Sequence, residues 1–285
     1  MRYLDTYDNV SGMFEQADID KVLFPYELKE WTALSNKIKT QKIRRLCSVP
    51  LCNEDFTVVY SLYMRLKWIA AFKACINTDA AGRGAVVLEV GSGSSVNIPN
   101  ALTVFDSSYK YITANMNKKL TEGLRKNTAS LPIKIEIIED DANNIKKYLS
   151  PGSVDAIVFE HSVNDILQAI LCERNGIDTT NSDWFEILPE MIKLISDKYV
   201  EQKLEMYVKN IFLSLLKNCI SVLKPGGHLI MSHYMYQYDL DLGYNQELWE
   251  NIIPLVRPWL NELQSGCEVF IDSFDPQWWS FYQKQ

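Results

Sequence analysis

A short apolar segment followed by two glycines is the first place where this sequence offers a ligand site. Residues 86–90 are mainly β-branched and apolar, which is typical of a strand buried on both faces of a parallel sheet. Gly91 and Gly93 follow directly, and glycines there allow a sharp turn and let a ligand approach the backbone. Glu89 adds a carboxylate, either as a ligand contact or as an anchor for loop amides. Since open α/β sheets bind ligands at the carboxyl ends of their strands, the segment predicts a ligand site.

Histidines at the ends of later strands are candidates for proton transfer. A histidine with the ordinary pKa of about 6.5 can remove a proton from a hydroxyl or an amine. His161 and His233 each follow or close an apolar segment at the predicted carboxyl edge, whereas His228 opens its segment at the opposite edge. The alternative for His161 is a histidine that is merely hydrogen-bonded in a crowded loop. We therefore predict His161 and His233 as candidate catalytic bases.

Alternating strand and helix patterns position these residues. From Ala85 onward the alternation predicts a mainly parallel sheet with right-handed crossovers. The last two strands are separated only by Asp275-Pro-Gln, too short for a crossover helix, so they should pair antiparallel. The predicted strands cover 86–90, 109–114, 133–138, 154–159, 228–233, 267–274 and 278–282. The predicted helices cover 26–46, 56–76, 96–104, 118–127, 182–223 and 245–263.

Composition and charge limit the class of protein. The chain has 285 residues and a net charge of −7, which argues against a general affinity for nucleic acid or an anionic membrane. No apolar run approaches the roughly 20 residues of a membrane span, and the first residues are not typical of a signal peptide. We therefore expect a cytoplasmic protein with no nucleic-acid and no membrane partner. The six scattered cysteines and three histidines predict neither a zinc site nor a disulfide framework, and no metal is expected.

A basic cluster in the predicted helix 26–46 leaves one alternative open. Lys37, Lys39, Lys42, Arg44 and Arg45 lie towards the end of this helix, where positive charge stabilises the helix dipole. The same residues could instead bind phosphate, which would favour a macromolecular substrate.

With these elements in order, residues 85–285 resemble the class I S-adenosylmethionine-dependent methyltransferases. Five motifs carry the resemblance: Leu88-Glu-Val-Gly-Ser-Gly93, Thr113-Ala-Asn-Met-Asn117, Asp140-Asp-Ala142, Val154-Asp-Ala-Ile-Val-Phe-Glu-His161 and Leu223-Lys-Pro-Gly-Gly227. Val96 stands where the dinucleotide fingerprint G-x-G-x-x-G needs its third glycine, which disfavours a nicotinamide-dependent oxidoreductase.

The resemblance implies a fold, a cofactor and a set of site residues. The fold is an α/β, Rossmann-like, seven-stranded, mostly parallel sheet with an antiparallel last strand. His161 and His233 would lie beside the methyl acceptor. The residues that would bind S-adenosyl-L-methionine are Glu89, Gly91, Ser92, Gly93, Asn115, Met116, Asp141, Ala142 and Glu160. The chain departs from the family where Ser95 replaces a third glycine and where Asn115 replaces the acid expected at the ribose, which loses a charge-assisted hydrogen bond.

We predict two regions and one activity. Residues 1–80 form an N-terminal helical lid or cap, and 81–285 form the methyltransferase domain, with a helical insertion at about 177–202. Aromatic residues near the site favour a small-molecule acceptor that is methylated at oxygen or nitrogen. The alternatives are a non-catalytic or regulatory protein on this fold and a methyltransferase acting on a macromolecule. The sequence does not determine the oligomeric state, and a homodimer stays open.

Overall fold

Seven strands form a single sheet in the computed structural model, which describes residues 5–76, 84–263, 266–268, 271 and 274–285. The strand order is β3-β2-β1-β4-β5-β7-β6; the first five strands are parallel, and β7 runs antiparallel to both of its neighbours. The strands are β1 (Val86–Val90), β2 (Lys110–Ala114), β3 (Lys134–Ile138), β4 (Val154–Glu160), β5 (Leu223–Ser232), β6 (Gly266–Glu268) and β7 (Trp279–Lys284).

This topology confirms the predicted α/β class, the mostly parallel sheet and its antiparallel last strand. Without β7 the order is 3-2-1-4-5-6, that of a doubly wound sheet whose ligands bind between the first and fourth strands. Two predicted boundaries were wrong. Residues 224–227, predicted as a turn, belong to β5, where the register shifts against β4. The sixth strand is shorter than 267–274, of which 269–270 and 272–273 lie outside the described residues.

Thirteen α-helices surround the sheet in the described part of the chain. They are α1 (Tyr7–Gln16), α2 (Ile19–Val22), α3 (Pro25–Ala33), α4 (Asn36–Leu46), α5 (Val58–Cys75), α6 (Asn97–Phe105), α7 (Lys118–Thr128), α8 (Val163–Asn175), α9 (Trp184–Val200), α10 (Leu204–Val222), α11 (Gln237–Asp241), α12 (Gln246–Glu250) and α13 (Ile252–Leu260). Among these helices none is both long and apolar enough to cross a membrane.

Three long predicted helices are each divided in two. The predicted helix 26–46 breaks before α4, where the Ser35 side chain accepts a hydrogen bond from the Ile38 amide and starts a new helix. The predicted helix 182–223 breaks at Gln202, which has a left-handed φ of 57° that no α-helix accommodates. The third, 245–263, is divided at Asn251 between α12 and α13. The predicted linker 79–84 lies, except for Gly84, outside the described residues.

Helix α5 joins the N-terminal helices to the sheet. It is buried on most sides, as its apolar sequence predicts, and its Trp68 ring packs edge-on against Trp279 of β7. Its Arg65 guanidinium forms two hydrogen bonds with the buried Glu27 carboxylate of α3, at 2.6 and 2.9 Å. The same guanidinium donates to the Val22 carbonyl of α2. The N-terminal helices are therefore fixed to α5 by a buried ion pair as well as by apolar packing.

Candidate active site

The loop after β1 turns sharply at the carboxyl edge of the sheet. Gly91 has a φ of 74° and Gly93 a φ of 57°, both in the left-handed region that favours glycine. A Cβ atom at position 91 would also lie 2.9 Å from the Cβ of Ser162. Ser162 in turn donates from its hydroxyl to the Val90 carbonyl at 2.6 Å. Position 91 therefore requires glycine for two independent reasons, its conformation and its close packing against the start of α8.

Side chains from β2 and the residue after it hold this loop. The Asn115 amide nitrogen donates to the Gly93 carbonyl at 2.8 Å, and the Thr113 hydroxyl donates to the Ser92 hydroxyl at 2.9 Å. Asn115 and Ser92 are both buried. The Asn115 side chain thus supports the glycine loop. The sequence analysis considered Asn115 only as a replacement for the acid expected at the ribose and did not predict this structural role.

Two cavities meet at Gly91. The first, which we name cavity A, has a volume of about 390 Å³ and opens between the ends of β1, β2 and β3 on one side and α8 on the other. Its wall is mostly apolar and includes the loop that follows α8. The lining includes Met116, Asp140, Asp141, Ala142 and Ile170.

Asp141 presents a free carboxylate oxygen in the wall of cavity A. Its Oδ1 accepts from the Asn143 amide at 2.8 Å and so caps a short 3₁₀ helix, whereas none of the described hydrogen bonds uses its Oδ2. Both carboxylate oxygens of Asp140 are already bonded, to Asn144 and to Tyr148 among others. Asp141 therefore has a carboxylate oxygen that is unoccupied and can receive a hydrogen bond from a ligand in this cavity, whereas both oxygens of Asp140 already accept hydrogen bonds.

The second cavity, which we name cavity B, has a volume of about 410 Å³ and lies at the ends of β1, β4 and β5. The glycine loop, the start of α8, and residues 236–249 form its sides, while residues 53–60 and α9 add aromatic and polar groups. The lining residues include Asn53, Phe56, Tyr60, Gly91, Ser92, Gly93, Glu160, His161, Asn164, Asp165, Trp184, Phe185, Tyr236, Tyr238, Asp239 and Trp249.

Of the two predicted cofactor-binding glutamates, one lines a cavity and the other is buried and lines neither. Glu160 lines cavity B, accepts from the Asn97 amide at 2.7 Å, and has its pKa raised to about 7 by burial. Glu89 is only 1% exposed and lines neither cavity; its Oε2 accepts from the Tyr111 hydroxyl at 2.6 Å beneath the loop. Burial, and then the neighbouring Glu160 charge, raise the pKa of Glu89 well above its ordinary value. The described hydrogen bond of Glu89 is therefore made inside the sheet, and its Oε1 has no hydrogen-bond partner among the described residues.

The two histidines stack on one another, and only one faces a cavity. The rings of His161 and His233 lie 4.7 Å apart and nearly parallel, but His161 lines cavity B and His233, 1% exposed, does not. Nδ1 of His161 accepts from the Tyr234 amide at 3.3 Å, so in the neutral ring the proton is on Nε2. Burial lowers the pKa of His161 to about 3. At neutral pH His161 is accordingly an uncharged hydrogen-bond donor.

His233 lies behind the cavity wall and holds the stack in place. Its Nε2 lies 3.2 Å from the Trp249 carbonyl oxygen, which the ring can contact only by donating. Burial, and then the neighbouring His161, lower the pKa of His233 well below its ordinary value. His233 does not line cavity B in this geometry, whereas His161 does, and the role of His233 as a base stays a prediction.

Two carboxyl groups that the sequence analysis missed lie in cavity B. Asp165 on α8 accepts from the Asn164 amide at 2.8 Å, and burial together with the Asp239 charge raises the pKa of Asp165 to about 8. Asp239 on α11 is 8% exposed and has no side-chain hydrogen bond among the described residues, and burial raises its pKa to about 7. These two residues are distant in the sequence, so no spacing motif indicates them.

The cavities bring together most of the predicted cofactor residues. Gly91, Met116, Asp141 and Ala142 line cavity A, and Gly91 also borders cavity B. Ser92, Gly93 and Glu160 line cavity B. Glu89 and Asn115 line neither cavity, and their cofactor contacts stay predictions.

Comparisons with solved structures find methyltransferases of several kinds. The chain is similar to an S-adenosylmethionine-dependent methyltransferase from Aquifex aeolicus at 13% identity, over 71% of this chain and 82% of that one, with a TM-score of 0.41. An O-methyltransferase family 2 protein from Planctomyces limnophilus, in complex with apigenin, has 13% identity over 79% and 58% and a TM-score of 0.46. A protein from Clostridium thermocellum, assigned only provisionally as an rRNA-methylase, has 12% identity over 76% and 93% and a TM-score of 0.42.

No family model and no curated protein matches the chain. The similar structures are too distant, at these identities and TM-scores, to assign a family or an acceptor. The class of fold rests instead on the strand order of this molecule and on the glycine loop at its switch point.

Proposed function

We propose that this protein is an S-adenosylmethionine-dependent methyltransferase (EC 2.1.1.-) that moves a methyl group to an oxygen or nitrogen of a small molecule. The observation that carries the proposal is the pair of cavities that share Gly91 at the carboxyl edge of the sheet. One cavity suits a nucleoside, the other suits an acceptor, and the glycine loop lies between them. This is the division of space that a methyl donor and a methyl acceptor require.

The residues of cavity A fit the nucleoside part of S-adenosyl-L-methionine. The free Oδ2 of Asp141 is suited to the amino group of adenine, and Met116, Ala142 and Ile170 give apolar surface for the rings. The backbone of residues 91–93 and the Glu160 carboxyl group would border the methionine part. When bound, the donor supplies a methyl group that is already activated on a sulfonium centre. The chain's own residues then supply mainly proximity and alignment.

His161 and His233 have distinct roles in this proposal. His161 would donate a hydrogen bond from Nε2 to the acceptor, and His233 would hold the His161 ring through stacking. A proton released by the acceptor would go to one of the carboxyl groups of cavity B, since neutral His161 with a pKa of about 3 is a weak base.

The N-terminal region and the insertion serve as a cover in the same proposal. Phe56 and Tyr60, from the end of the region 1–80, line cavity B together with Trp184 and Phe185 of the insertion 177–202. Residues 81–285 would form the methyltransferase domain. A cover of this kind excludes water from the transfer and limits the acceptor to a small molecule.

Binding of S-adenosylhomocysteine tests the proposal directly. We expect micromolar binding by calorimetry, and Asp141→Asn should weaken it by about tenfold or more, because a hydrogen bond to a charged group is worth about 1.5–3 kcal/mol. This variant keeps Oδ1 and with it the 3₁₀ cap. The exposed Asp197→Asn on α9 is the matched control and should bind like the unchanged protein.

Two results would contradict the proposal in different ways. If the unchanged protein does not bind S-adenosylhomocysteine even at millimolar ligand, the fold has no donor and a regulatory function becomes the better hypothesis. If it binds but Asp141→Asn has no effect, cavity A is not the nucleoside site. Strongly salt-dependent binding of RNA, carried by the basic residues of α4, would favour a macromolecular acceptor.

A further inference from the structure

The lining of cavity B has the composition of a receptor for a positively charged group. Three carboxyl groups line it, those of Glu160, Asp165 and Asp239, and none of its described lining residues is a lysine or an arginine. Carboxyl groups buried without cationic partners cost free energy unless they are neutralised or a ligand supplies the charge. A cation in the cavity would satisfy them.

Buried polar atoms without partners lie beside these carboxyl groups. Asp239 is 8% exposed and makes no side-chain hydrogen bond among the described residues, although it lines the cavity. Asn164, 2% exposed and also in the wall, donates to Asp165 but leaves its own Oδ1 without a partner. Both free groups are hydrogen-bond acceptors, so the missing partner is a donor. An ammonium group donates hydrogen bonds and accepts none.

Aromatic rings also line the same cavity. Phe56 packs against Tyr236 with ring centroids 5.2 Å apart, Tyr236 lies 4.3 Å from the His161 ring, and Trp249 is edge-on to His161 at 5.4 Å. Trp184, Phe185 and Tyr238 add further aromatic surface. Aromatic faces attract organic cations through their quadrupoles. The acidic and the aromatic groups of cavity B therefore select the same kind of ligand.

From this arrangement we infer that the methyl acceptor is a small organic amine, bound as a cation between Asp165, Asp239 and the aromatic wall of cavity B. The inference rests on the proposed function, since it names the acceptor of the same site. It also selects nitrogen over oxygen as the methylated atom.

The chemistry balances with groups that the site contains. The bound ammonium gives one proton to the Asp165 carboxylate, which exposes the nitrogen lone pair. The lone pair forms the new bond to the methyl carbon, and the carbon–sulfur bond breaks with its electron pair remaining on sulfur. The sulfonium becomes a neutral thioether, the methylated nitrogen becomes the cation, and the proton on Asp165 leaves to solvent.

Three probes of similar size but different charge test the inference. Phenethylamine, 2-phenylethanol and phenylacetate are titrated by calorimetry into the full chain, with and without saturating S-adenosylhomocysteine. We expect phenethylamine to bind at least about tenfold more tightly than either of the others, from ion pairing and cation–π attraction. Incubation with S-adenosylmethionine should then give N-methylphenethylamine, detected by mass spectrometry.

Asp165→Asn and Asp239→Asn should each weaken phenethylamine binding by about tenfold or more while keeping the affinity for S-adenosylhomocysteine, which shows that they fold. Asp241→Asn is the control, because Asp241 is an exposed residue of the same helix α11 and does not line the cavity. At neutral pH the bound ammonium should displace a proton from Asp165, whose pKa is raised to about 8, and this release is measured as a heat that depends on the ionisation enthalpy of the buffer. A merely structural role of Asp165 would not produce this release.

The outcomes separate the inference from the proposed function. Equal binding of the amine and the alcohol, or preferred binding of phenylacetate, would overturn the inference even if S-adenosylhomocysteine binds. Selective amine binding without any S-adenosylhomocysteine binding would instead refute the methyltransferase and leave an amine receptor. If the two Asp variants keep full amine affinity, cavity B is not the amine site.

Discussion

Asn115 has a structural contact at a position where the family pattern predicts a cofactor contact. An acid here would contact a ribose, but the amide of Asn115 donates to the Gly93 carbonyl and so tethers the glycine loop. A carboxylate cannot donate this hydrogen bond. The departure from the family pattern is therefore consistent with a functional cofactor loop that is held in a different way.

Replacing Asn115 by aspartate should consequently weaken cofactor binding. Asn115→Asp removes the donor and places a negative charge against the Gly93 carbonyl, so we expect the affinity for S-adenosylhomocysteine to fall by roughly three- to tenfold, the value of one hydrogen bond. The exposed Asn127→Asp, which loses a similar bond to the Ser94 carbonyl, should have a smaller effect in the same calorimetric titration. Tighter binding by Asn115→Asp would show instead that the side chain reaches the ribose.

Among the elements, the N-terminal helices are tied to α5 by buried ion pairs. Arg65 of α5 and Glu27 of α3 are buried and share two hydrogen bonds, and Lys67 of α5 pairs with Asp5 at 3.1 Å. Removing one partner of such a pair leaves the other charge buried and uncompensated, which typically costs about 3–5 kcal/mol.

Glu27→Gln should therefore lower the free energy of unfolding by about 3 kcal/mol in urea denaturation. The matched control is Lys21→Gln, because Lys21 pairs with Asp18 at 2.6 Å but on the surface, where ion pairs contribute little. A loss no larger than that of the control would mean that the Arg65–Glu27 pair does not contribute to holding the N-terminal helices on α5.

The strands were predictable because each has a local sequence signal, whereas the residues of cavity B are brought together only by the fold. Buried β-branched segments such as 86–90 carry their own signal, and the glycines after them indicate the ligand edge. The end of α9 is a local cap, in which the Gln202 and Lys203 amides donate to the Tyr199 and Lys198 carbonyls. Its left-handed position carries glutamine and not the usual glycine, so the sequence lacks the signal that marks such an end. Asp165 and Asp239 become neighbours only through crossovers of the sheet. Likewise, the sequence correctly placed Glu89 in β1, but it did not show that the Glu89 side chain is buried and accepts a hydrogen bond from Tyr111.

For the whole molecule, the buried carboxyl groups of cavity B predict a loss of stability at higher pH. The folded pKa of Asp165 is about 8, and those of Asp239 and Glu160 are about 7, all above the values of about 4 for exposed carboxyl groups. The folded state thus holds these protons more tightly, and their contribution to stability is lost as pH rises towards 8. Burial of His161 has the opposite effect, because it makes stability rise with pH. This effect is confined to the range between its folded pKa of about 3 and the ordinary value of about 6.5.

Between pH of about 6.5 and 8 the carboxyl groups therefore dominate, and the melting temperature of the ligand-free protein should fall across this range. Asp165→Asn, which cannot ionise, should show a smaller fall than the unchanged protein in thermal denaturation at both ends of the range. The Asp241→Asn control should keep the full fall. Identical pH dependence in Asp165→Asn and the unchanged protein would contradict the burial of a titrating carboxyl group at this position.

Because Gly91 belongs to the walls of both cavities, whatever fills one cavity becomes part of the surface of the other. Two ligands that share a boundary in this way have linked affinities, and thermodynamic reciprocity makes the factor the same in both directions. In the proposed function, a donor that completes the wall of cavity B would raise the affinity for the acceptor, and the acceptor would raise the affinity for the donor by the same factor. The shared glycine would thereby couple the two ligands whichever of them binds first.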